Sequence, residues 1–394
     1  MQRLHDLAPN LLKWRTLAKY VRVTYPRKQT AGERYGQIPR IAGHGAVLTL
    51  GEAGIDLKVN FASGDMPLTG VGDMTSNEKD RPIRVGISQC LLGEQVRFDG
   101  GHKLDRFITK TLGQYFEWIP VCPEVELGLG TPRETLRLVQ VGDGIGLVMP
   151  KSGREWTQQM NEYATTRVAK LADEDLTGYI LKSDSPSCGM ERVRIYAPSG
   201  MPTRNGIGLF ARELLQHFPE LPIEEEGRLS DPRLRENWIQ RVFAYHRLRI
   251  LWESKWTVGD LVEFHTAHKL VLLAHSPKAF TELGRLVAGA KKMPRQELIQ
   301  QYQGEFMAAL KILATRGRNA NVLQHMAGYF KKQLDNESRQ ELQDHITDYR
   351  KGYLPLIVPV TLIKHYVRQF GVSYLAGQVY LNPHPKELAL LNHV

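Results

Sequence analysis

Cysteine is scarce in this chain of 394 residues: only Cys90, Cys122 and Cys188 occur, and no two stand at Cys-x-x-Cys spacing. A disulfide-stapled miniprotein is excluded, and zinc-ribbon and thioredoxin readings are weak. Long apolar runs are missing as well. The longest, 354–363, is interrupted by Pro355 and Pro359 and falls far short of the roughly 18 residues needed to span a bilayer. The amino terminus, Met1-Gln2-Arg3-Leu4-His5-Asp6, opens no continuous apolar segment of the secretory kind. No membrane partner is expected, and a cytoplasmic location is the default expectation. No repeat of fixed period is visible, and a composition of 42% hydrophobic and 24% charged residues excludes a fibrous or wholly disordered chain.

What the chain has is length and positive charge. Its size suggests two or three domains at about 100–200 residues each. The net charge of +10 is unevenly placed: +4 over 1–73, −4 over 74–227 and +10 over 228–394, a last segment that also holds nine of the thirteen histidines. A basic face is often only a solvated surface. Nucleic acid is the leading alternative, because phosphates neutralised by Lys and Arg release counterions and supply affinity without regard to sequence.

Residues 1–73 show weak hydrophobic periodicity with scattered Gly and Thr, and read as an extension outside the functional fold, with Met74 as an alternative start. From Ile83 short apolar runs alternate with helical periods, the pattern of an α/β domain with a mainly parallel sheet. Strands are predicted near 83–88, 116–121 and 177–182, with helices over about 104–115 and 155–171. The runs 136–139 and 145–149 flank Gly142-Asp143-Gly144 and predict an inserted hairpin; a strand at 193–196 and a helix at 209–217 complete a domain spanning 74–222. Pro219, Pro222 and the run Glu224-Glu225-Glu226-Gly227 mark a linker at 223–227. Beyond it, 228–394 is helical in period, including 298–313 and 322–334, and predicts an all-α domain.

Each cysteine follows a predicted strand. Ligands in an open parallel sheet collect at the carboxyl ends of the strands, so this order can gather three distant thiols at one site. A free cysteine is commonly a small buried hydrophobe, but all three here lie in turn-forming sequence. Cys90 precedes Leu91-Leu92-Gly93 and Asp99-Gly100-Gly101-His102, Cys122 lies in Pro120-Val121-Cys122-Pro123-Glu124, and Cys188 closes Ser183-Asp184-Ser185-Pro186-Ser187-Cys188-Gly189. Three soft ligands without a fourth suggest a centre with an open coordination position, as in catalytic zinc or a site-differentiated iron–sulfur cluster. Glu124, two residues after a proposed ligand, is placed to accept a proton from attacking water, with Glu126 as a weaker stand-in. Ser183, Ser185 and Ser187 offer donors for substrate or for a tetrahedral intermediate, or else cap the loop. His265 and His268, three apart on a predicted helix, have no companion ligands that would complete a zinc site.

These stretches resemble the thiouracil desulfidase (TudS) family. Val85 to Gly93, Val96 to Lys103, Cys122 to Gly128 and Lys182 to Gly189 look like its four sequence blocks in order. The basic helical remainder resembles the YbgA-type domain through Phe264-His265-Thr266-Ala267-His268-Lys269 and Tyr329-Phe330-Lys331-Lys332-Gln333-Leu334. A chain with both modules resembles the fused desulfidases that act on 4-thiouridine in tRNA. The resemblance implies a 4Fe-4S cluster on Cys90, Cys122 and Cys188 with one iron open to the sulfur of a thiolated pyrimidine. It also implies non-redox hydrolysis to uridine and sulfide, with water as co-substrate and with Glu124 and Ser183 as catalytic residues; Ser185, Ser187 and Asp99 are expected on the substrate. Lys291, Lys292, Arg295, Arg316, Arg318, Lys331 and Lys332 are the clusters expected to meet RNA. Two alternatives stand beside it: a desulfidase of free thiouracil-type pyrimidines, and a non-catalytic RNA-binding protein with structural zinc.

Overall fold

The computed structural model describes residues 47–51, 54–58 and 81–388. The chain divides into two compact units, Met1–Leu68 and Thr69–Val394. In the first, β1 (Val47–Gly51) and β2 (Gly54–Lys58) form an antiparallel hairpin with Val47 opposite Lys58. The rest of the 1–73 segment, and Met74, lie outside the described residues.

The second unit is built on a four-stranded parallel sheet. β3 (Ile83–Ser88) and β7 (Leu176–Leu181) are its central strands, flanked by β4 (Phe116–Val121) and β10 (Ile223–Glu225) in the order β10-β7-β3-β4. β7 is buried along its whole length and β3 along most of it, which is why both read as continuous apolar runs rather than alternating ones. β4 carries Pro120 and an exposed Glu117, features an edge strand tolerates. Gly86 is required by packing: a Cβ there would stand 2.2 Å from the Tyr179 ring on the neighbouring strand.

A second four-stranded sheet forms from the predicted hairpin, β5 (Arg137–Val141) and β6 (Gly144–Val148), together with β8 (Val193–Tyr196) and β9 (Pro202–Gly206). The Gly142 turn has φ 56°, the left-handed region where glycine carries no steric cost. β9, Pro-Thr-Arg-Asn-Gly, is polar and almost wholly exposed, so no apolar period announced it. Helices α1 (Arg106–Lys110), α2 (Pro123–Glu126), α3 (Thr157–Leu171) and α4 (Leu209–His217) complete this region. The first predicted helix breaks after Lys110 into a 3₁₀ turn at Leu112–Gln114.

The stretch 223–227, expected as a linker, instead supplies β10. Its acids are buried but satisfied: Glu224 accepts from Arg228 Nε at 2.6 Å, and Glu225 accepts from the Met190 backbone N–H at 2.7 Å. Paired acids at 6% and 5% exposure look the same in sequence as a solvated acidic run.

From α5 onward the fold is helical: α5 (Pro232–Glu253), α6 (Val258–His275), α7 (Pro277–Gly289), α8 (Arg295–Lys311), α9 (Arg316–Ala327), α10 (Asn336–Lys351), α11 (Ile357–Phe370) and α12 (Ser373–Ala376). The predicted helix at 322–334 is the end of α9 followed by a 3₁₀ turn, Gly328–Phe330. α5 begins at an Asp231 cap with Pro232 in its first turn. It does not stand apart from the sheet. Trp238, Ile239, Val242 and Phe243 enter one apolar cluster with Val85, Ile87 and Phe116, and Trp238 Nε1 donates to the Pro222 carbonyl at 2.9 Å. Among the described residues no helix is long and apolar enough to cross a membrane.

Candidate active site

The carboxyl ends of β3, β4 and β7 deliver the three cysteines to one cavity of about 470 Å³. Cys90 sits in the 3₁₀ turn Gln89–Leu92 directly after β3, Cys122 is the N-cap of α2 directly after β4, and Cys188 ends the loop after β7. Two backbone contacts lock these loops. The Cys90 carbonyl accepts from Lys103 N at 2.8 Å, folding the 93–102 loop back over it. Gly208 approaches the Cys188 loop so closely that a Cβ would stand 2.5 Å from the Ser187 carbonyl. Only glycine permits that approach.

Burial governs the thiols. It raises Cys90 to about 11, with the nearby Cys122 adding to the effect. It also raises Cys122, against an opposing hydrogen bond from the Val125 backbone. Cys188 is pushed well above its usual range by burial and then by the charges of Cys122 and Glu124. Each side chain therefore resists ionisation unless a cation replaces the proton. Among the described residues no three His, Cys, Asp or Glu side chains converge as a chelate for a single ion.

Glu124 lines the cavity and is clamped from two sides. Its Oε2 accepts from Arg133 Nε at 3.0 Å and Nη2 at 2.5 Å, and its Oε1 accepts from Ser187 Oγ at 2.9 Å. Arg133 also donates to the Val96 carbonyl at 3.0 Å, so one buried guanidinium ties Glu124 to the loop after β3. Glu126 serves the local structure instead, accepting from Cys122 N at 3.1 Å, Tyr163 OH at 2.7 Å and Arg167 Nε at 3.0 Å.

The three loop serines separate into distinct roles. Ser183 lines the cavity; its Oγ donates to Glu226 Oε1 at 2.8 Å and accepts from Lys182 Nζ at 3.0 Å, while Lys182 and Glu226 form a close ion pair. Ser185 also lines it, but its Oγ accepts from the backbone N–H groups of Ser187 at 3.2 Å and Cys188 at 3.1 Å, forming a turn. Ser187 is fully buried behind Glu124. Asp99 is not among the residues lining the cavity: it accepts from Gly101 N at 3.0 Å and closes a turn, and that bond, then Arg97, holds its carboxyl below the usual range.

Arg133, Lys182 and Glu226 were missed from sequence. Lys182 opens one of the quoted blocks and was within reach; Glu226 was hidden in the acidic run, and Arg133 in a loop without periodicity.

The basic clusters divide similarly. Lys291, Lys292, Lys331 and Lys332 are exposed. Arg295 lies 3.9 Å over the Trp256 ring and donates to the Trp256 carbonyl at 2.7 Å, and Arg318 donates to the His275 carbonyl at 2.7 Å, closing the end of α6. Arg316 is exposed on the first turn of α9.

Comparison with known proteins finds matches on two stretches of the chain. The family model for 2-thiouracil desulfurase matches residues 85–226, and the model for a protein of unknown function (DUF1722) matches 269–385. The uncharacterised protein YbgA of Escherichia coli (strain K12) is 35% identical over 159 residues, 40% of this chain and 94% of that protein. The uncharacterised protein YbbK of Bacillus subtilis (strain 168) is 31% identical over 108 residues, 26% of this chain and 71% of that protein. A solved structure of the [4Fe-4S]-dependent thiouracil desulfidase TudS is 29% identical, covers 38% of this chain and 94% of its own, and superposes with a TM-score of 0.32. The chain therefore belongs to the 2-thiouracil desulfurase family over its α/β region and to the YbgA family over its helical region.

Proposed function

We propose that the protein removes sulfur from 4-thiouridine in tRNA, giving uridine and sulfide by non-redox hydrolysis, with a [4Fe-4S] cluster held by Cys90, Cys122 and Cys188. The observation that carries this reading is that thiols from three separate strand ends line one cavity with the clamped Glu124 and with Ser183. The donor set fits the cluster. All three ligands are soft thiols of the kind that hold iron, the sequence has no fourth cysteine to close the last position, and a bound cation offsets the cost of ionising them while buried. When bound, the cluster supplies a Lewis acid for the sulfur of a thiocarbonyl.

The chain's own residues supply position and proton handling. Glu124 Oε2 is taken up by Arg133, while Oε1 accepts from Ser187 and keeps a lone pair for a water in the cavity. A carboxylate fixed in this way orients that water toward the carbon bearing sulfur. Ser183 has given its hydrogen to Glu226 and accepted one from Lys182, so its remaining capacity is as an acceptor. It takes a hydrogen bond from water or from a ring N–H, and Glu226 behind it receives the displaced proton. The Lys182 ammonium spends its donors on the Ser183 carbonyl, the Ser183 hydroxyl and Glu226, which fixes its charge beside the serine. Exposed Lys291, Lys292, Lys331 and Lys332 supply charge for RNA phosphates, and the target base leaves its stack to enter the cavity.

A free thiouracil-type pyrimidine is the second reading. It is favoured by the activity for which the matching family is named and by a cavity of about 470 Å³, a volume ordinary for small-molecule sites. The experiment is to purify the protein without oxygen, reconstitute its cluster, and follow nucleoside composition of bulk thiolated tRNA beside turnover of free 2-thiouracil, with Cys122→Ala as control. Conversion of 4-thiouridine to uridine by the wild type alone supports the proposal. Turnover of thiouracil without tRNA conversion moves the assignment to the free base, and stoichiometric zinc without iron overturns both.

A further inference from the structure

We propose a second binding site, in the helical region, for the phosphate group of a phosphate monoester of mononucleotide size. A cavity of about 400 Å³ lies among α5, α9, α10 and α11, and shares no residue with the thiol cavity. Its polar lining includes two arginines and a single carboxylate. Arg233, in the first turn of α5, and Arg316, the first residue of α9, both line it; among the described residues neither forms a short ion pair, although the Asp231 cap lies close enough to Arg233 to feel its charge. The one acid in the lining, Glu236, is held by His384 Nε2 at 2.7 Å.

The floor holds a spare hydrogen. Asn319 lies between two tyrosine hydroxyls: its Nδ2 donates to Tyr349 OH at 3.1 Å and its Oδ1 accepts from Tyr380 OH at 2.9 Å. Tyr349 thus accepts a hydrogen bond, while its own O–H has no acceptor among the described residues. Turning the amide over only passes the spare hydrogen to Tyr380. Both tyrosines line the cavity and are buried, at 4% and 8% exposure. A buried donor without an acceptor is costly unless a ligand supplies one. Arg316 and Arg233 lie close enough to Tyr349 for their charges to oppose the upward push that burial gives its hydroxyl.

The ligand class follows from these groups. Two guanidinium forks and a hydroxyl donor line one cavity; the start of α5 is already taken up by its Asp231 cap, whereas α9, capped by the neutral Thr315, adds positive potential at its amino terminus. A carboxylate, with about four acceptor positions on two oxygens, falls short of two forks and a hydroxyl together, whereas the three terminal oxygens of a phosphate dianion serve all of them. Leu313, Leu356 and Val360 form the apolar wall for an organic group, so inorganic phosphate uses only part of the site. The phosphate can belong to a free nucleotide or to the 5′ end of an RNA chain. The inference is independent of the desulfidase reading.

The test uses the full chain and two matched pairs of probes: uridine 5′-monophosphate against uridine, and one short RNA carrying a 5′-phosphate against the same RNA with a 5′-hydroxyl. In at least one pair the phosphorylated probe is expected to bind about tenfold or more tightly, and Arg316→Gln and Tyr349→Phe are each expected to reduce that preference about tenfold. Tyr349→Phe keeps the ring in place and carries the test if Arg316→Gln fails to fold. Preference in the first pair assigns a free nucleotide, and preference in the second alone assigns an RNA end. No preference in either pair, or a preference that survives both substitutions, overturns the proposal.

Discussion

Glu226 holds Ser183 at two points: its Oε1 accepts from the serine hydroxyl at 2.8 Å and its Oε2 accepts from the serine backbone N–H at 2.7 Å. A carboxylate at the end of β10 thus fixes a side chain at the end of β7. Glu226→Gln keeps the shape but removes the proton acceptor and the counter-charge of Lys182. It is expected to lower kcat by about 10²-fold or more with KM and iron content near wild type, and to displace the pH–rate profile. Anaerobic kinetics beside iron analysis decides it, and an unchanged kcat removes Glu226 from the proton path.

Cys90→Ala, Cys122→Ala and Cys188→Ala are each expected to abolish desulfuration and to lower bound iron and inorganic sulfide. The loss at Cys188 tests the lock formed by Gly208: Gly208→Ala, with every thiol intact, is expected to reduce cluster content because its Cβ would collide with the Ser187 carbonyl 2.5 Å away. Full activity in any cysteine variant refutes the ligand set.

Glu124 and Ser187 are separable. Glu124→Gln is expected to cost about 10²–10³-fold in kcat if the carboxylate directs the water. Ser187→Ala leaves Glu124 Oε1 without its buried donor, a loss of about 1–3 kcal/mol in stability but a smaller change in rate, since Arg133 still holds Oε2. Thermal unfolding and single-turnover rates on both variants check the contrast.

The parts of the fold that could be read in advance were those with one dominant physical cause. β3 and β7 are apolar because both faces are covered, and each cysteine stands beside turn-forming residues, so the strands and the gathering of the three thiols at their ends were legible together. Glu226 was not, because a buried acid paired to Lys182 and a solvated acid have the same local sequence. Ser187 was expected on substrate and instead braces Glu124, a difference set by which way the loop turns at the Gly208 contact.

Acid is expected to destabilise the fold through histidines buried in the helical region. Burial lowers His265 to about 4, His268 to about 3 and His275 to about 4, against about 6.5 in an unfolded chain. The unfolded state therefore binds more protons as pH falls below about 6.5, and stability present above that value drains away toward pH 4. Denaturant titrations from pH 7 to 4 should steepen with up to three protons taken up, and His268→Leu should flatten the slope; an unchanged slope excludes His268 from that linkage.

Trp238→Ala is expected to cost about 3–5 kcal/mol, and to lower the unfolding temperature of the sheet and the helices in one transition, because the ring belongs to the core of both. The same packing bears on how two families can share a chain. With Trp238 seated on Pro222 and among Val85, Ile87 and Phe116, a cut after Gly227 would bare a greasy sheet face rather than release a finished enzyme. A gene encoding the α/β part alone must bring its own cover for that face. The fusion here is structural, since the helical partner begins as a wall of the catalytic domain.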